Sequence, residues 1–468
     1  MKNLCDIVFP LKGMRGKEKE QLNTPSSLTL VKKTLAVAWP SVVEQFLVSL
    51  VGFVDSAMVS GLGAYAIAAV GISNQPKFIT LVPIFSLNVA LSSIVARRFG
   101  QKNKADANAV LRFCLLIAII LTTLISFFAV FFADEILHFA GSQVDTHASA
   151  VSYFRIIVGF MIFNTLTLVI NAAQRGAGNT KIAMRTNLTS NIINLVLNFL
   201  LIEGRFGFPR LEIKGAAIAT VIGSLVACLM SFASILKKDR KLYLFFNFKQ
   251  KVDSFSLNSI WNVGSASLVE QLFIRIGFMT YAMIVASLGT LAFAAHQIGL
   301  NVLSLSFALG NGLSIAAVSL VGNALGEERK DLAKIYGSIC QRMGLIASLT
   351  LSAFYFLVGE KIFMIFSKDP VIIAYADKIM SLIVFIVILQ ISQVIFSGCL
   401  RGAGDTKIIA LISLVSVTII RPLSGYIFVH PLHMGLVGAW LGLAVDQGMR
   451  FTLTFLRFRS NKWLNMKV

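Results

Sequence analysis

Long runs without charge set the first limit on this chain. Phe113 to Phe132, Ile156 to Ala173, Ala216 to Leu236 and Ser381 to Leu400 hold almost no charge over about 18 or more residues each, the length at which an α-helix crosses a bilayer core of about 30 Å. Of the 468 residues 56% are hydrophobic and 14% charged, against roughly 25% charged in a soluble domain. A soluble core could not hide that much apolar surface, so lipid is the solvent for most of the chain.

Charged, Gly and Pro punctuation divides the sequence into twelve apolar segments, near 34–61, 74–96, 110–133, 151–173, 181–202, 214–236, 257–287, 297–322, 335–358, 371–399, 406–428 and 434–458. The net charge of +20 resides in the short connections and not in a basic domain with interleaved aromatics, so it speaks for orientation and against a nucleic-acid partner. Lys and Arg collect in the tail before segment 1 and in every second connection: Arg97, Arg98, Lys102 and Lys104; Arg175, Lys181 and Arg185; Lys237 to Lys251; Arg329, Lys330 and Lys334; Arg401 and Lys407; and the C-terminal Arg457 to Lys467. The positive-inside bias then places both termini in the cytoplasm, with residues 1–33 and 459–468 as cytoplasmic tails. Met1 to Lys33 lacks the apolar core and cleavage site of a signal peptide. The five cysteines, Cys5, Cys114, Cys228, Cys340 and Cys399, fall one per segment without CxxC spacing and read as packing thiols.

The chain repeats itself. RGAGNTK at Arg175 to Lys181 returns as RGAGDTK at Arg401 to Lys407, 226 residues on, and the same offset superposes Val43-Glu44-Gln45 on Val269-Glu270-Gln271 and Ala68-Ala69 on Ala294-Ala295. Six segments per copy give both copies one orientation, related by an axis along the membrane normal. The expected fold is an all-α membrane protein of twelve transmembrane helices in two six-helix lobes, 34–236 and 257–458, joined by a basic linker, 237–256. Two equal membrane halves suit transport by alternating access around a central site.

Intramembrane acids cost about 2.5 to 3.5 kcal/mol on insertion scales and are functional candidates for that reason. Segment 1 carries Glu44 and Asp55, eleven residues and three turns apart. Segment 5 carries Asn187, Asn191, Asn194 and Asn198, one face of amides that lipid will not tolerate. Amide bonds between helices are one reading of that face. The other joins Asp55, Asn194, Asn198 and Thr220 in an oxygen-rich site for a proton or a hard cation such as Na⁺. Shifted by 226, the amide row becomes Ser413, Val417, Ile420 and Ser424, and Asp55 becomes Tyr281. A purely architectural device should appear in both copies, so its loss from the second favours an ion site in the first. Glu44 and Glu270 recur at equivalent positions and read as structural; Arg275 reads as a partner of Glu270, and His296 as a helix cap or interhelical bond.

WPSVVEQFLVSLVGFVDSAMVSGLGAYAIAAVG from Trp39, the paired RGAG(N/D)TK loops, KGAAIAT at Lys214 and AAHQIGLN at Ala294 together resemble the multidrug and toxic compound extrusion family over about Leu35 to Leu456. The resemblance implies an antiporter that expels small, mostly cationic or amphiphilic organic compounds in exchange for H⁺ or Na⁺. It further implies a coupling acid at Asp55, carboxamides or an acid at Asn194 and Asn198, and a helix-bending proline at Pro40. Where relatives of one type place acids in the second half, this chain has Ile274 and Gln390, and where others carry a second acid in segment 5 it has Asn198. Asn191, Gln390, Tyr281, Glu44, Glu270 and Arg275 are further candidates for polar cavity positions. The chain is expected to act as a monomer in the inner membrane, with lipid around it and no cofactor beyond the coupling ion. A flippase for a lipid-linked precursor is the alternative, though it calls for a more cationic cavity. A membrane-embedded enzyme would need clustered Asp or a His-rich set, and the five histidines are scattered.

Overall fold

The structure is a computed structural model that describes residues 25–60, 62, 64–140, 142, 144–236, 242–243, 253–366 and 370–466. Most of the N-terminal tail with Cys5, the linker basic residues from Lys237 to Lys251, and Lys467 lie outside the described residues. The first half supplies α1 (Ser27–Ser60), α2 (Ala64–Gly100), α3 (Lys104–Phe131), α4 (Ala133–Phe139), α5 (Val144–Gly159), α6 (Met161–Gly176), α7 (Thr180–Leu201) and α8 (Glu212–Ile235). The second supplies α9 (Ser254–Ala286), α10 (Thr290–Gly326), α11 (Lys330–Phe366), α12 (Pro370–Gly402), α13 (Thr406–Ser413), a π-helical turn (Leu414–Ile420), α14 (Arg421–Val429) and α15 (Gly435–Arg459). No strand occurs among the described residues.

Among the described residues nine helices are long and apolar enough to cross a membrane, and α5 with α6, bent by 46° at Phe160, makes a tenth span. The remaining two of the twelve are α7 and α15, of 22 and 25 residues. Their hydropathy is lowered by the polar side chains that give them their interest, the amides of α7 and the Asp446 and Arg450 pair of α15. Several helices extend past the apolar segments, α11 to 37 residues for instance, because hydropathy marks the lipid-crossing part of a helix and not its capped ends.

The repeat is visible in the elements themselves: α2 and α10, α3 and α11, α5 and α12, and α7 and α13 each begin 226 residues apart. The halves differ where one copy breaks. The bent α5–α6 corresponds in the repeat to a continuous α12, and the straight α7 corresponds to α13, the π turn and α14.

The RGAG loops show two distinct uses of glycine. Gly178 and Gly404 sit at φ +74° and +86°, a region where a Cβ clashes, and they end the preceding helix. Gly176 and Gly402 permit close helix contact. A Cβ there would stand 2.5 Å from the carbonyl oxygen of Ser92 and 2.6 Å from that of Val318.

The described residues group into two compact units, 46–264 and 1–45 together with 265–468, with both divisions falling inside helices, α1 and α9. In the first unit Val59 of α1, Ala69 of α2, Phe154 and Val158 of α5 and Ala217 of α8 share a core. In the second, Leu30 and Ala38 of α1 pack into the core built by α10, α11, α12 and α15. Arg98 closes the first unit on its own side: it pairs with Asp106 at 2.5 Å and donates to Ser256, 2.8 Å away. The four described cysteines are free and buried.

Candidate functional site

Helix α1 runs unbroken through Pro40, which withholds an N–H from the carbonyl of Ala36, and carries Asp55 into the interior of the first unit. There α7 and α8 meet it. Asn198 donates through Nδ2 to Asp55 Oδ1 at 2.8 Å and to Asn194 Oδ1 at 3.3 Å. Asn194 lies between the carboxylate and Thr220, with one end of its amide 2.8 Å from Asp55 Oδ1 and 3.1 Å from Oδ2, and the other 3.1 Å from the Thr220 hydroxyl. Thr220 is held in turn by donating to the carbonyl of Ala216 at 2.9 Å. Four of the residues singled out from the sequence therefore form one cluster.

The Asn194 amide fits either of two states. With its nitrogen toward Asp55 it donates to both carboxylate oxygens and accepts from the Thr220 backbone N–H at 3.2 Å, the arrangement suited to a bare carboxylate. With its oxygen toward Asp55 it donates to Thr220, which suits a carboxyl that carries a proton or shares a cation. Asn198 Oδ1 is buried without a hydrogen-bond partner. Carboxylate, amide and hydroxyl oxygens are the donors a hard cation selects, and an unused amide oxygen beside a carboxylate fits one.

Lys77 belongs to this site as well, and sequence reasoning missed it. It stands within the apolar span of α2, half-buried, and its charge acts on Asp55. Its ammonium lies 5.4 Å from the Phe78 ring centroid. One turn before it Ser73 donates to the carbonyl of Ala150 at 3.2 Å, which fixes this face of α2 against α5. The signal is a lone lysine in an apolar run, but it lies only three residues past Asn74, where the apolar segment begins, and so passes for the basic edge of a span.

The other candidates separate into different surroundings. Asn187 and Asn191 are half-buried on α7 outside the Asp55 cluster, and Asn191 Nδ2 has no hydrogen-bond partner. Glu44 is buried at 2% exposure on α1. Glu270 accepts from Arg401 at 2.6 Å and from Ser413 at 3.3 Å, so Arg401 is a partner of this acid that the sequence did not single out. Gln390 accepts from Ser306 at 2.7 Å, and Tyr281 donates to the carbonyl of Ala439 at 2.7 Å. His296 lies in the second turn of α10 with Nδ1 buried and without a hydrogen-bond partner, its ring 5.6 Å from Tyr281 and 5.5 Å from Trp440.

A second charged cluster was not singled out from the sequence. Arg421 donates to Asp446 Oδ2 through Nε at 3.0 Å and through its terminal nitrogen at 2.5 Å, and Arg450 reaches the same oxygen at 3.0 Å. Arg421 and Asp446 are 5% and 0% exposed as side chains.

Fold and site together define a duplicated helical membrane protein with charged and amide groups inside its membrane-spanning helices. A family model described as MatE matches residues 40–200 and 266–427, once in each half, and the chain belongs to that family. It is similar to the probable multidrug resistance protein NorM of Thermotoga maritima, 29% identical over 445 residues that cover 92% of this chain and 93% of that protein. The multidrug resistance protein MdtK of Pectobacterium atrosepticum is 26% identical over 92% of this chain and 96% of its own. A solved structure of a MATE transporter in the straight conformation superposes with a TM-score of 0.86 at 23% identity, over 92% of this chain and 96% of that one. An outward-facing multidrug resistance MATE family transporter gives 0.85 at 22%, over 94% and 100%.

Proposed function

We propose that this protein is a secondary active antiporter that exports small cationic or amphiphilic organic compounds in exchange for inward H⁺ or Na⁺ by alternating access of its two halves. The observation that carries the reading is Asp55, a carboxylate inside a membrane-spanning helix, bonded to Asn198 and within reach of Asn194 beside Thr220. Names of the relatives, multidrug resistance proteins, support the substrate class.

In the working cycle Asp55 takes a proton or Na⁺ from outside. The Asn194 amide turns its oxygen toward the loaded carboxyl while its nitrogen donates to Thr220, which holds it in that orientation, Asn198 supplies a second amide beside the acid, and the neutralised acid no longer attracts a cationic substrate, which leaves. Release of the ion inside restores the charge. Acid and substrate compete for one negative charge, and that competition couples the two flows. Pro40 weakens the backbone ladder of α1 and is the place for the helix to bend. Lys and Arg placement supports cytoplasmic termini, in an inner-membrane monomer. A flippase reading receives no comparable support, because Arg401, Arg421 and Arg450 are each engaged by a carboxylate of the second unit.

The test is ethidium efflux from proteoliposomes under separately imposed H⁺ and Na⁺ gradients. One gradient drives efflux by the parent protein, and Asp55→Asn abolishes that dependence while leaving the thermal melting of the detergent-solubilised protein in place. Gradient-driven efflux by Asp55→Asn at the parental rate overturns the reading.

A further inference from the structure

The second half holds an ion pair at the place that matches the Asp55 cluster, and packing fixes the match. Gly215 of α8 seats on the carbonyl of Leu201, and Gly438 of α15 on that of Phe428, so that an added Cβ would lie 2.7 Å from either oxygen. These contacts place α15 beside α14 as α8 is placed beside α7. A π turn takes up one more residue than an α turn, and the turn at Leu414–Ile420 accordingly moves the later residues on by one: Leu201 and Phe428 are 227 apart, not 226. Asn194 then matches Arg421 and Asn198 matches Gly425, while Asp55 matches Tyr281 at the unshifted offset. Gly215 and Gly438 are 223 apart, so Gly223 matches Asp446 and Thr220 matches Leu443.

Contacts agree with this register. Asn198 touches Asp55, and Gly425 lies against Tyr281, with an added Cβ 3.2 Å from its ring. Gly223 packs on Asn194, with an added Cβ 3.4 Å from the Asn194 Cβ, and Asp446 bonds Arg421. In the second half the amide that faces the Asp55 carboxylate has become a guanidinium, and the acid has moved from the first helix of the repeat to the last.

A guanidinium keeps its charge at any pH a protein survives, and being covalently attached it cannot leave. Arg421 stacks over Phe278 and Tyr281, 4.7 and 5.7 Å from their ring centroids, and binds Asp446 through two nitrogens. Arg450 binds the same oxygen, and Glu270 acts on Arg450 from α9. Asp446 Oδ1 is buried without a partner. A diffusing cation that reached it would face the fields of both guanidinium groups, and neither His296 nor Tyr281 supplies an opposing charge.

We infer that Arg421 is a tethered stand-in for the coupling cation, keeping Asp446 permanently compensated, so that the protein exchanges one cation per cycle and does so at Asp55. This rests on the reading of Asp55 as the coupling acid.

The experiment counts cations. Binding of ²²Na⁺, and proton uptake followed with a pH-sensitive dye, are measured on the purified protein and on Asp55→Asn. The expected result is one exchangeable cation per chain in the parent and none in Asp55→Asn. Two in the parent with one surviving in Asp55→Asn overturns the tethered-cation inference and leaves Asp55 as a coupling acid; an unchanged count in Asp55→Asn overturns the Asp55 reading itself. A second arm replaces the pair. Arg421→Met with Asp446→Asn keeps gradient-driven ethidium efflux within about twofold of the parent, whereas Arg421→Gln together with Arg450→Gln removes both partners of Asp446, uncovers it and adds a second cation per chain. Loss of efflux in a double variant that melts like the parent assigns the pair to the transport machinery and overturns the inference.

Discussion

Lys77 and Asp55 place opposite charges inside one unit of a membrane protein, and their balance changes during the cycle proposed for it. While Asp55 is ionised the two compensate. Once Asp55 is loaded, Lys77 is left as a net positive charge that repels both the bound cation and a cationic substrate. Lys77→Met removes that repulsion, so half-saturation of efflux by the driving cation falls on the order of tenfold, the ratio that about 1.4 kcal/mol supplies. Lys77→Arg keeps the charge and the parental half-saturation. Measuring ethidium efflux against Na⁺ concentration and pH in the two variants decides the matter, and coincident curves for Lys77→Met and the parent show that the lysine has no part in ion affinity. Asp55 and the Asn194–Asn198 pair were legible in the sequence because a carboxylate in an apolar run, or a row of amides at helical spacing, is too costly in lipid to stand without a partner or a task. Arg421, Asp446 and Arg450 were not. Asp446 and Arg450 stand four residues apart on α15 and read as a pair within one helix, Arg421 is a single charge in the segment before it, and only the fold brings both guanidinium groups onto one carboxylate oxygen.

Element boundaries followed the repeat closely, and what escaped the sequence lies where one copy deforms. An apolar run looks alike whether it bends at Phe160 or runs straight, and the extra residue of the π turn at Leu414–Ile420 leaves no mark in hydropathy. For that reason a plain 226-residue shift assigns Ile420 to the position that Arg421 occupies. The paired RGAG loops invite a direct stability test. Gly176→Val and Gly402→Val put side-chain atoms into the backbone of α2 and α10, against carbonyls that cannot move without separating helices. Each is expected to lose about 1–3 kcal/mol or more, the range for overpacking, seen as reduced yield of folded protein and a lower melting temperature in detergent. Gly71, on α2 with nothing within 4 Å of an added Cβ, is the control. There Gly71→Ala restrains the unfolded chain without a clash and raises stability by roughly 0.5–1 kcal/mol. Equal losses at Gly176 and Gly71 would mean that close helix contact is not what requires glycine in the loop.

For the molecule as a whole, one exchangeable site means that its charge can be counted through a complete cycle. A monovalent cation entering on Asp55 and a monovalent organic cation leaving carry no net charge across the membrane, whereas Lys77, Arg421 and Arg450 stay with the protein. In the proposed cycle ethidium export is then electroneutral: the ion gradient alone is expected to set how far the dye is driven, without a contribution from the membrane potential. A cycle moving one further positive charge inward would gain about 2.3 kcal/mol per 100 mV, enough to change the limiting dye gradient roughly fortyfold. Proteoliposomes clamped with K⁺ and valinomycin separate the cases. At fixed ion gradients the steady dye ratio for a monovalent cation is expected to be the same at 0 and −100 mV. A divalent organic cation reverses the logic, since its export moves one positive charge outward and is opposed by an inside-negative potential by the same factor. Potential-driven accumulation of the monovalent dye contradicts a single coupling site and requires a second ion, with Asp446 as the carboxylate left to carry it.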